Sequence, residues 1–171
     1  QVGVRGNLFV DNTSLDGALQ LASLGNSTIY ATNNTLANNP SFDGAGGINF
    51  VGNAATDTFA ISNNVAWSNG PIANRLDVSF VGTFAGTFTN NLVGASSIIA
   101  AGLVSTGTLT TDPLFVSAGD LRAREGSPMR NSGTNGPAGG NNFIDFDFAP
   151  RQQGTRVDRG GRARSGDGCN G

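Results

Sequence analysis

The chain has 171 residues, among them 26 glycines and 20 asparagines, with one cysteine, no histidine and no lysine. This composition excludes a Ser/His/Asp triad, a histidine base, a histidine or cysteine metal site and an internal disulfide, leaving carboxylate, arginine, tyrosine and hydroxyl chemistry. Net charge is −2, split between a 1–120 segment with seven aspartates against Arg5 and Arg75 and a 121–171 segment with eight arginines against five acids; so weak a basic tail argues against nucleic acid as a partner, and no apolar run approaches the roughly 20 residues of a membrane-spanning helix.

Taken in chain order, the first signal is a repeat. The segments GNLFVDN from Gly6, NNTLANN from Asn33, NNVAWSN from Asn63 and NNLVGAS from Asn90 align on Asn7, Asn34, Asn64 and Asn91, at intervals of 27, 30 and 27. A second asparagine column, Asn12, Asn39 and Asn69, keeps the same first two intervals.

The stretches before each asparagine pair alternate with period two: STIYAT from Ser27, DTFAIS from Asp57 and FAGTFT from Phe84. Such alternation predicts half-buried strands. Ile29, Phe59 and Gly86 fall in one inward column and Ala31, Ile61 and Phe88 in another, with Thr28, Thr58, Thr32, Ser62 and Thr89 outward. A third strand family reads LQLAS from Leu19, INFVG from Ile48 and LDVSF from Leu76. Stacking Leu19 on Ile48 on Leu76 makes Gln20, Asn49 and Asp77 its outward column. Glycine and asparagine interrupt every window long enough for a helix.

About three short strands in each repeat of 27 to 30 residues describe an all-β, right-handed parallel β-helix of about four coils over residues 1–111. Each ladder asparagine then has two tasks: to take the tight turn, since asparagine tolerates the left-handed region, and to donate its amide to the one above. The seven asparagines Asn7, Asn34, Asn64, Asn91, Asn12, Asn39 and Asn69 are accordingly read as structural.

From Thr111 the chain reads TDPLFVSAGDLRAREGSPMRNSGTNG, and from Asp145 DFDFAPRQQGTRVDRG. These boxes resemble the end of bacterial right-handed β-helix proteins that carry a choice-of-anchor Q domain. Asp112, Pro113, Leu114 and Phe115 match the first box, and Gly126, Ser127, Pro128 and Gly133 the second. Asp145, Asp147, Pro150, Arg151, Gly154 and Asp158 match the closing segment, whereas Arg130 and Asn131 stand where an apolar residue and an aspartate are usual. The resemblance implies a secreted or cell-surface protein of the bacterial envelope, with 112–160 as an irregular C-terminal cap; after Gly160 the pattern fails, and composition alone makes 161–171 the expected disordered or aberrant tail.

An open stack of parallel coils ends in unpaired strand groups, so a cover of loops, proline and charge is expected over the last coil. Arg122, Arg124, Arg151 and Arg156, close in sequence to Asp120, Asp145, Asp147 and Asp158, are read as ion pairs within that cap. For function, the expectation is a monomeric structural or adhesive module touching polysaccharide or other envelope components, with no cofactor and no metal. The surface candidates are Gln20, Asn49 and Asp77 on the outward column and Trp67 as a sugar-stacking ring. The alternative is the C-terminal part of a carbohydrate-active β-helix enzyme, a polysaccharide lyase or glycoside hydrolase; Asp77 is the one carboxylate on that column, with Asp57 and Asp43 as further acids and no catalytic residue assigned.

Overall fold

A computed structural model describes residues 1–70, 76–94 and 102–161. The tail expected to be disordered lies, from 162 onward and with Cys169, outside the described residues, as does Arg75. The strands are β1 (Val2–Arg5), β2 (Leu8–Val10), β3 (Leu19–Ala22), β4 (Thr28–Thr32), β5 (Thr35–Ala37), β6 (Ile48–Ser62), β7 (Val65–Trp67), β8 (Val78–Thr89), β9 (Leu92–Val93), β10 (Leu103–Thr106), β11 (Phe115–Ser117) and β12 (Asp120–Ala123). Among the described residues no helix occurs, and hence none long and apolar enough to cross a membrane.

The strands wind into a parallel β-solenoid of about three turns. One sheet runs β1-β4-β6-β8-β10, with β3 also on β6, and a second runs β2-β5-β7-β9. Every pairing in both is parallel, as expected when each strand lies on its counterpart one winding away. About three turns, where the repeat suggested about four coils, follows because the four rungs Asn7, Asn34, Asn64 and Asn91 bracket three windings.

The period-two columns before the asparagines hold their register: Ile29 pairs with Phe59 and Phe59 with Gly86, while Ala31, Ile61 and Phe88 lie in file. Their side chains form the core with Leu36, Ala66 and Val93 from the second sheet. Phenylalanines fill its centre: Phe50 stacks on Phe80 at 5.1 Å, Phe59 meets Phe84 edge-on at 4.8 Å, and Phe80 meets Phe88 edge-on at 5.6 Å. Such pairs add about 0.5–1.5 kcal/mol each beyond simple burial.

Two departures from three short strands per repeat have physical causes. In the second and third windings the third strand family and the strand before the asparagines fuse into the single long strands β6 and β8. Within β6 four residues separate Asn53 from Thr58 where β8 has only Phe84 between the paired Thr83 and Ala85, so β6 bulges. Asp57 holds that bulge: its carboxylate accepts the N–H groups of Asn53, Ala54 and, across the windings, Ser27 at 2.9–3.1 Å.

Turning and stacking, both expected of the same asparagine, are divided between neighbours. The left-handed residue at one corner is Gly6, Asn33, Asn63 or Asn90, with φ between 52° and 67°. The residue after it, Asn7, Asn34, Asn64 or Asn91, makes the ladder. At the other corner Asp11, Asn38 and Ser68 turn, with φ of 55–57°, and Asn12, Asn39 and Asn69 stack.

The segment after β10 begins with the antiparallel hairpin β11–β12. Its apolar side, with Met129, covers Val65 and Leu92, which face outward from the second sheet. The chain then runs along the side of the stack over the first asparagine corner. Arg159 donates to the carbonyls of Asn91 (2.7 Å) and Gly107 (3.0 Å), Gly160 N–H to Asn63 O (2.7 Å) and Gly161 N–H to the Thr35 hydroxyl (2.8 Å). A strap thus ties the windings together from outside. Burial, aided by Arg156, pushes the Arg159 guanidinium down to about 10, which still leaves it cationic at neutral pH.

Of the arginines read as ion-pair partners, Arg122 does bind Asp120, its Nε lying 2.8 Å from Oδ1. Arg151, 2% exposed, instead donates to the carbonyls of Gly160 and Gly161. Desolvation lowers its pKa against the pull of Asp145 and Asp158.

Candidate glycan-contact site

The ladders absorb most of the asparagine chemistry. Asn7 donates both its main-chain N–H and its side-chain amide to Asn34 Oδ1 at 3.1 and 3.0 Å; Asn34 does the same to Asn64, and Asn64 to Asn91, at 2.9–3.0 Å. The second amide hydrogen of Asn34 goes back to Val4 O at 2.9 Å, that of Asn64 to Ala31 O at 2.8 Å, and that of Asn91 to Ile61 O at 3.1 Å. Each interior rung therefore joins three windings and has no amide group left for a ligand.

The second ladder runs from Asn12 to Asn39 to Asn69 in the same bidentate manner and ends on a carboxylate. Asp77 Oδ1 accepts Asn69 N–H and Nδ2, both at 2.8 Å. This corrects the expected outward column. The pairing is Gln20 with Asn49 with Ser79, and Leu19 with Ile48 with Val78, two residues on from the alignment through Leu76. Period-two alternation assigns a face but cannot separate registers that differ by two, so the apolar pattern was equally compatible with both. Asp77 thus lies before β8, 1% exposed and turned into the corner.

The other surface candidates are also dispersed. Gln20 is exposed, but Asn49 is buried and accepts a hydrogen bond from the Ser79 hydroxyl at 2.6 Å. Asp57 is buried in the bulge, where bonds from the Ser23 hydroxyl and from the Ser27, Asn53 and Ala54 amides hold its carboxyl below the ordinary value, against an opposing effect of desolvation. Asp43 is exposed and caps Gly44 N–H at 2.9 Å. Trp67 belongs to the second sheet, away from the Gln20 and Asn49 column. Among the described residues, no group of three or more acidic or cysteine side chains gathers as metal ligands would.

What the structure brings together around Trp67 is a different set. A cleft of about 250 Å³ opens between the second sheet and the hairpin, walled by Asn38, Trp67, Asp112, Leu114, Phe115 and Arg124. Its far wall is pinned: Asp112 Oδ1 accepts Leu114 N–H at 2.8 Å, and Arg124 N–H bonds Leu114 O at 3.2 Å. The Ser127 hydroxyl also donates to Pro113 O. Leu114 itself sits at φ 51°, a costly conformation for a side chain without a local polar bond to offer. The composition singled out Trp67 but not Asp112 and Arg124 as its companions, because the return of the hairpin against β7 has no periodic signature.

Comparison with protein-family models, with curated proteins and with solved structures found no match.

Proposed function

We infer that this chain is a structural or adhesive module of a secreted or cell-surface bacterial β-helix protein, one that contacts glycans without turning them over. The observation that carries this reading is the fate of the two buried acids of the solenoid. Asp57 holds three backbone N–H groups and Asp77 terminates a ladder, so both are engaged in building the solenoid. A glycosidase needs two carboxylates facing one sugar bond, and a lyase needs acids clustered around calcium. The amide ladders and the lateral strap suit a rod that keeps its shape under load. The envelope part of this reading rests on the resemblance of boxes within 112–160, Asp112 to Phe115 and Gly126 to Pro128 among them, to the choice-of-anchor Q pattern.

The test is co-sedimentation with insoluble polysaccharides together with incubation on a soluble polyuronate and neutral-glycan panel with calcium. Retention on at least one polysaccharide without release of new reducing or unsaturated ends is expected. Turnover of any panel member would overturn the reading in favour of the lyase or hydrolase alternative.

A further inference from the structure

We propose that the cleft between β7 and the β11–β12 hairpin is a binding site for one pyranose unit of a neutral hexose polymer; this rests on the glycan-contact reading above. Three features point to a sugar. Trp67 is half-buried and packs against the cluster of Val65, Leu92, Ala123 and Met129 while it also lines the cleft, so its ring is held in place. An indole ring lining a cleft can serve as a flat apolar platform for the C–H face of a pyranose, and no hydrogen bond from its Nε1–H is made among the described residues. Arg124 is exposed, and its guanidinium likewise has no acceptor among them.

Around this platform the polar groups are mixed in kind. Arg124 brings donors only, Asp112 acceptors only, and Asn38 both. A hydroxyl both donates and accepts, so vicinal hydroxyls of a neutral ring can serve a guanidinium and a carboxylate at once. A uronate would satisfy Arg124 but meet Asp112 as a like charge, and this decides for the neutral class. About 250 Å³ lies just below the roughly 300 Å³ at which ligand pockets usually begin, room for a single ring, with the rest of the polymer running out over the surface.

The walls are set before any ligand arrives. Asp112, Leu114 and Arg124 are tied to one another through the Leu114 backbone, and Asn38 N–H bonds Trp67 O at 3.3 Å. The left-handed Leu114 belongs to this wall, where backbone strain is retained by the bonds around it.

Trp67 is the sole tryptophan, so its fluorescence reports the cleft directly. Titration with cellotetraose, mannotetraose, galactotetraose and tetragalacturonate should give a saturable change with at least one neutral tetramer. Arg124→Gln and Asp112→Asn should each weaken that binding about tenfold while leaving the thermal midpoint near wild type; Asn at 112 can still accept the Leu114 N–H. The proposal is overturned if no neutral tetramer binds, if tetragalacturonate binds more tightly than every neutral one, or if both variants bind as wild type does. Should the protein still sediment with a polysaccharide while Trp67 stays silent, the cleft assignment fails and the glycan-contact module stands. Silence in both assays removes both.

Discussion

Asp77 Oδ1 receives the main-chain N–H and the side-chain amide of Asn69 at 2.8 Å each, the pair of bonds by which Asn39 holds Asn12 and Asn69 holds Asn39. An aspartate eight residues along the chain from Asn69 thus completes a file otherwise built at intervals of 27 and 30. Asparagine at 77 retains the accepting oxygen and leucine does not. Asp77→Asn should therefore be more stable than Asp77→Leu by about 2 kcal/mol in urea unfolding, given about 1–3 kcal/mol for each buried donor left without a partner.

Position within a ladder sets the cost of losing a rung. Asn64 is buried and its Oδ1 serves both nitrogens of Asn34, whereas Asn7 is exposed and its Oδ1 serves no group among the described residues. Asn64→Ala should lower stability by about 3 kcal/mol and Asn7→Ala by under about 1 kcal/mol. Equal losses in equilibrium unfolding would show that the amide files do not carry the corner.

Asp57 sets a pH dependence. Its folded pKa lies below the unfolded value near 3.8, so its contribution is fully present above that value and is lost as pH falls through the depressed folded pKa. Asp57→Asn should be less stable than wild type at pH 7, and the difference should shrink as pH drops below about 4. Denaturant midpoints measured between pH 2 and pH 7 read this directly; a constant gap across that range would remove the argument.

Arg159 ties the strap to the corner through the carbonyls of Asn91, Gly107 and Ser132. Arg159→Gln cannot reach all three. Amide exchange of Gly160 and Gly161 should accelerate about tenfold in that variant, with the amides of β6 and β8 little changed, since charge-assisted bonds contribute about 1.5–3 kcal/mol. Unchanged exchange would show that the strap is held by other contacts.

Ser68 is an exposed residue at φ 57° where the equivalent corners carry Asp11 and Asn38. Serine in this region costs about 1 kcal/mol relative to glycine. Ser68→Gly should raise the unfolding free energy by roughly that amount, and a fall would mean that the hydroxyl has a role its exposure does not suggest.

The winding was legible because two kinds of residue recur for independent reasons: apolar side chains at alternate positions, and asparagines at corners that only a few residue types can turn. Hence Ile29, Phe59 and Gly86, and the rungs from Asn7 to Asn91, were placed correctly from spacing alone. In the third strand family Leu19 on Ile48 and Gln20 on Asn49 were also placed correctly, but the third member was set two residues off, because moving by two residues preserves every inward and outward assignment, and the deciding contact, Asn69 to Asp77, is not periodic. The strap and the Trp67 cleft were hidden for a related reason. Residues 112–161 pack once, against an existing surface, so their contacts depend on the shape of the finished stack and leave no repeating mark in the chain.

The amide files also have a direction. The bonds from rung to rung all run one way, given toward the later winding and taken from the earlier one, so among the described residues Asn7 and Asn12 are left at one pole with a side-chain oxygen that could still receive, while the Asp77 carboxylate, at the other, can receive but has no hydrogen to pass on. The solenoid is chemically asymmetric along its axis: at the Asn7 and Asn12 pole another winding could be laid down by the same rule, and at Asp77 the rule is brought to a stop.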